Sequence, residues 1–165
     1  MKTICLITMI AGLILFGSNR IQAQTAQTKL NQVELMKQWL GTWQTTVNKD
    51  TTEIWEGKPY GKALIITVYQ VIKGKKTDSY IANCGYDDRD DKIKGYNLSP
   101  NTDFLTWIGN FTTDKKFTAD ALDTFKPEIM WWKNEIELKT PTELVVRAFS
   151  TQGVKTGEWT YKKIK

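Results

Sequence analysis

From Thr42 to the C-terminus the chain alternates between apolar and polar residues, in runs separated by clusters of Gly, Pro, Asn, Asp and Lys. A period of two marks strands with one face on a core, and the clusters mark turns. The runs predict strands over 42–48, 51–55, 63–72, 77–86, 92–98, 103–112, 116–125, 128–139, 143–150 and 154–164, counted as eight to ten in all. Glu56 to Lys62, with two glycines and Pro59, reads as a loop near an open end. The short connections require antiparallel neighbours, and closing such a sheet removes its edges. The expected fold is therefore all-β, an antiparallel up-and-down β-barrel, with a flatter sandwich as the alternative.

The segment before the strands has a different period. Asn31 followed by Glu34 has the spacing of a capping box, and Val33, Met36 and Leu40 recur at helical spacing. This predicts a short helix over 32–39. It is too short to stand alone and should pack on one end of the barrel. At the junction, Gly41 permits a tight turn and Trp43 can plug the narrow end.

Residues 1–23 read as a signal peptide rather than as part of the domain. Lys2 precedes an apolar run from Ile4 to Phe16, and Gly17-Ser18-Asn19 and Ile21-Gln22-Ala23 follow. Cleavage is expected after Ala23, with Ala26 as the alternative, leaving a 24–165 domain without a transmembrane segment. The product is expected to be exported, periplasmic or secreted, from a bacterium. Cleavage removes Lys2 and Arg20 and no acid, so the net charge falls from +5 to +3. The remaining lysines are scattered, unlike a nucleic-acid footprint. Cys84 is then the one cysteine left, which excludes an internal disulfide. It reads as a buried small hydrophobe, with intermolecular pairing as the other option.

The chain has no histidine, which excludes Ser-His-Asp and Cys-His catalysis, histidine-ligated haem and ordinary zinc sites. No cofactor or metal is expected. Asp87 to Asp91 lacks the spaced oxygen ligands and glycine of a calcium loop and reads as a solvated turn. Glu135 and Glu137 share a strand face with Lys133, so pairing with Asp120 or Asp123 across a cleft is disfavoured. The sequons at Asn97 and Asn110 carry no weight in a bacterial product.

The short helix leading into Leu40-Gly41-Thr42-Trp43, the run of hairpins and the basic end of Glu158-Trp159-Thr160-Tyr161-Lys162-Lys163 together resemble the lipocalin-like, or calycin, group. The likeness extends to small exported bacterial members of unassigned function. It implies that Gly41 and Trp43 close one end of the barrel beneath a basic side chain of the last strand, Lys163 or Lys162. The later lipocalin motifs are not recognisable. Nitrobindin-like haem barrels share the Leu-Gly-Thr-Trp opening, but their haem-ligating histidine has no counterpart here.

Tyr69, Tyr80, Tyr86, Trp107, Trp132, Trp159 and Tyr161 on the predicted strands, with Asn134 beside Trp132, are the candidate ligand-binding residues. The competing reading is a filled core. Arg147 either points inward, toward an acidic head group such as that of a fatty acid, or lies outside with Val145 and Phe149. Three functions follow. The first is a non-enzymatic protein binding a small hydrophobic or amphipathic molecule. The second is a histidine-free enzyme, and the third an interaction module presenting Trp55 and Trp131. The oligomeric state is open.

Overall fold

A computed structural model describes residues 29–165 except Thr102; the predicted signal segment lies outside the described residues. Ten antiparallel strands close into one barrel. They are β1 (Gly41–Asn48), β2 (Thr51–Tyr60), β3 (Ala63–Ile72), β4 (Lys75–Asp87), β5 (Lys92–Leu98), β6 (Phe104–Phe111), β7 (Lys116–Asp123), β8 (Met130–Thr140), β9 (Glu143–Phe149) and β10 (Lys155–Lys163). Each strand pairs with its sequence neighbour, and β10 returns to β1. That last seam is short. Trp43 pairs with Lys163 and Gln44 with Lys162, extended by Thr42 N–H donating to the Lys165 carbonyl at 2.8 Å and Ile164 N–H to the Thr42 carbonyl at 2.8 Å.

The segment read as a loop over 56–62 is strand. β2 continues to Tyr60, and Gly61 and Lys62 form a two-residue turn with Gly61 at a φ of +59°. Pro59 is tolerated because β1 has already ended at the Gly41–Gly57 pair, leaving that side of β2 without a partner. Gly57 answers a close approach: a Cβ there would lie 2.1 Å from the Trp39 carbonyl oxygen.

The helix α1 (Gln32–Met36) runs on as a 3-10 turn over Lys37–Trp39. The Asn31 side chain caps it, accepting from the Glu34 N–H at 3.2 Å. Glu34 does not complete the reciprocal box; its carboxylate takes Lys37 Nζ at 2.7 Å instead. The buried face is Gln32, Met36 and Trp39 rather than one led by Val33. Gln32 explains the rotation. Its amide accepts the Phe111 N–H at 2.7 Å and donates to the Phe111 carbonyl at 3.2 Å, completing the end of β6 as a neighbouring strand would.

Candidate functional site

Strand alternation sets the interior. Trp43 and Thr45, Glu53 and Trp55, Ile66 and Val68, Ala82 and Cys84, Phe117 and Ala119, Leu144 and Val146, and Tyr161 point inward from their strands. At the helix end they form a solid floor. Trp39 stacks on Phe111 at 5.3 Å and meets Phe117 edge-on at 4.9 Å, while Trp55 meets Tyr161 edge-on at 6.1 Å. Trp43 is fully buried, and Lys163 Nζ lies 5.1 Å from its ring centroid, the geometry of a cation–π contact. Gly41, at a φ of +103°, brings the chain from the helix into β1; a Cβ there would meet the Lys165 carbonyl at 2.5 Å and Lys163 Cε at 2.7 Å. Burial holds Cys84 in its thiol form, its pKa pushed up to about 12.

Above the floor the barrel is not filled. A cavity of about 660 Å³ extends from Trp39, Trp55 and Phe117 to Val47 and Trp159, which are 43% and 39% exposed at the other end. A volume of this size falls in the range of small-molecule sites. Six of the candidate residues line it: Tyr80, Trp107, Trp132, Asn134, Trp159 and Tyr161. Trp107 lies across Gly95, where a Cβ would come within 2.4 Å of its ring, and its indole N–H donates to Asn97 Oδ1 at 3.1 Å. The asparagine of the first sequon is thus occupied inside the barrel.

Three candidates are elsewhere. Tyr69 is on the outer face of β3, where its hydroxyl donates to Glu56 Oε1 at 3.0 Å and Lys76 Nζ lies 4.1 Å above its ring. Tyr86 is below the cavity, packed against the core and donating to Asp91 Oδ1 at 2.7 Å. Arg147 is outside, because Leu144, Val146 and Ala148 take the inward positions of β9. Its Nη1 donates to Glu135 Oε1 at 2.7 Å and Glu137 Oε2 at 2.8 Å, and its Nε to Glu158 Oε2 at 2.8 Å. The partners follow from register, since Glu135 and Glu158 face Arg147 across β8 and β10. The acidic head group considered for Arg147 is thus replaced by three of the protein's own carboxylates.

This cluster predicts an acid-dependent term in stability. Hydrogen bonds from Lys139 and Arg147 hold Glu137 below the ordinary glutamate value of 4.5, and those from Arg147 and Lys155 do the same for Glu158. A depressed carboxylate stabilises the fold above its unfolded pKa, and the contribution is lost as pH falls through the folded value. Arg147→Met should therefore be destabilised most at neutral pH. Its deficit against the unaltered chain should shrink as pH falls below 4.5, in urea titrations at several pH values. A deficit independent of pH would assign the effect of Arg147 to packing of its stem.

One residue that sequence reasoning passed over and one that it placed outside complete the cavity. Glu53 points inward from β2, its Oε1 accepting from the Tyr161 hydroxyl at 2.5 Å and its Oε2 from Gln70 Nε2 at 3.2 Å. Burial and the charge of Glu53 raise the pKa of both Tyr80 and Tyr161, so each hydroxyl keeps its proton. Trp55, read as a surface feature near a mouth loop, is buried beneath this group at 7% exposure. Trp131 is exposed on the outer face of β8, its ring 6.0 Å from that of Trp132. No family model matches the chain, and no curated protein sequence is significantly similar to it.

Proposed function

We propose that this chain is an exported, bacterial, lipocalin-like protein without enzymatic activity that holds a small hydrophobic or amphipathic molecule inside its barrel. The observation that supports it is the cavity itself, about 660 Å³ walled by aromatic rings and reaching the surface at the end opposite the helix. A barrel serving only as a rigid interaction module gains nothing from such a space, because an unfilled apolar interior forfeits dispersion contacts. Export rests on the apolar N-terminal segment, Ile4 to Phe16, behind Lys2.

The enzyme reading has one feature in its favour, a carboxylate and two tyrosines facing one cavity. Acid–base hydrolysis of the glycosidase kind needs a second carboxylate across the cleft. Among the described cavity-lining residues Glu53 is the only acid. Both tyrosines hold their protons too firmly to serve as bases near neutral pH.

Delipidated protein titrated with the neutral probe N-phenyl-1-naphthylamine should show saturable quenching of tryptophan emission, with probe fluorescence rising in step. Ala148→Trp, which fills the cavity from β9, should abolish both signals while leaving the far-ultraviolet circular dichroism intact. Equal probe binding by the filled variant would remove the interior from consideration.

A further inference from the structure

We propose that the molecule held in this barrel is a cationic amphiphile, an amine with an apolar or aromatic body, and that Glu53 receives its ammonium group. The inference rests on the carriage reading above and specifies the ligand's chemistry.

Glu53 is the one charged side chain among the described residues that line the cavity. The rest of the wall is aromatic, aliphatic or neutral polar, with Gln70, Asn97, Asn134 and Thr156 as its amide and hydroxyl groups. The two hydrogen bonds that Glu53 accepts come from a phenol and an amide, neither of which carries charge. Among the described residues, lysine and arginine pair with acids on the barrel's outer surface and ends, and none pairs with Glu53. A carboxylate half-buried in an apolar wall is best served by a cation beside it. Here the hydrogen-bonding partners hold the carboxylate in position without cancelling its charge.

The surroundings favour the same sign. Tyr80 faces the cavity next to this carboxylate, close enough for the Glu53 charge to disfavour its ionisation. No hydrogen bond engages its hydroxyl among the described residues, which leaves that oxygen able to accept from an ammonium. Tyr80, Trp107, Trp132 and Trp159 line the cavity, and aromatic rings attract cations over their negative faces. Strand register puts Glu53 at middle depth, between Thr51 at the rim and Trp55 in the floor, directly beside Thr45 and Gln70. An ammonium at that depth leaves the apolar body lying toward Trp132 and Trp159. A fatty acid would bring a second negative charge into a space with no cation to meet it, at a Coulombic cost raised by the low local dielectric.

The test is a matched series of one chain length, dodecylamine, dodecanol and dodecanoate, each kept below its micelle concentration and followed by calorimetry and tryptophan emission. The unaltered chain should bind the amine about tenfold or more tightly than the alcohol, the scale of a charge-assisted hydrogen bond. Dodecanoate should be weakest. In Glu53→Gln, of nearly the same shape, the amine-to-alcohol ratio should fall to about one, with circular dichroism reporting the fold. Should that variant fail to fold, the ratio in the unaltered chain still decides. A ratio near one, or preference for dodecanoate, overturns the assignment of a cationic ligand while leaving carriage intact. A preference that persists in folded Glu53→Gln overturns the role of Glu53. If none of the three binds and N-phenyl-1-naphthylamine also fails, the carriage reading falls and takes this inference with it.

Discussion

Replacing Trp43 with alanine should lower the free energy of unfolding by about 3–5 kcal/mol, the range for deleting a large aromatic side chain from a core. The residue is fully buried and lies where β1 meets both β10 and β2, opposite Lys163 and Trp55. Its removal takes away the packing of the floor and the ring beneath the Lys163 ammonium. Trp43→Phe should cost much less than the change in size suggests. The Trp43 indole N–H is buried without a hydrogen-bond partner, and phenylalanine removes that orphaned donor while keeping an aromatic ring. Urea unfolding of both variants checks the pair. A Trp43→Phe variant as unstable as Trp43→Ala would show that the indole's full shape is what the floor requires.

A loss of similar size, about 3–5 kcal/mol, is expected for Trp39→Ala. Trp39 is 2% exposed and joins the helix to the barrel through Trp55, Phe111 and Phe117. The helix depends on such contacts, with Met36 and the Gln32 amide as its other anchors, because one α-helical turn and a 3-10 turn cannot persist alone. Unlike Trp43, Trp39 also lines the cavity, so its truncation should weaken probe binding as well as stability. Combining it with Phe117→Ala should give less than the sum of the single losses, since the rings share one contact. Stability and probe affinity measured on the same samples would separate the roles: Trp43→Ala should lose the first ahead of the second, and Trp39→Ala should lose both.

The barrel was legible because its information is local. Alternation, turn residues and short connections named every strand from β3 onward to within a few residues, and the outward set of Trp131, Lys133, Glu135 and Glu137 followed from β8 alone. β2 was cut short because Gly57, Pro59 and Gly61 carry loop composition. Each has a tertiary reason to be in or beside a strand, namely the Trp39 carbonyl, the missing β1 partner and a positive φ. Glu53 and Trp55 lie within the part read as strand, but the loop assigned next to them put Trp55 at an exposed mouth and so hid the site. Had β2 been taken as a long strand, Trp55 facing inward would have brought Glu53 with it by parity. For Arg147, β9 is apolar on both faces, and only the facing glutamates on β8 and β10 fix its direction. Tyr86 has the right parity for the interior but the wrong height, a coordinate that a period of two does not contain.

The short seam between the first and last strands has a consequence for traffic. Its pairing runs only from Thr42 to Gln44 beside the floor, while Thr45–Asn48 and Lys155–Tyr161 are paired on one side only among the described residues. Near the mouth the closed barrel is therefore without backbone pairing between β1 and β10, and this stretch carries Val47, Thr156 and Trp159, the exposed residues of the cavity wall. For the carriage proposed above, this unpaired length of seam is the side entrance, and a guest would enter it with its long axis parallel to the strands. Such exchange would ask for spreading of two half-free strand edges and would leave the floor untouched.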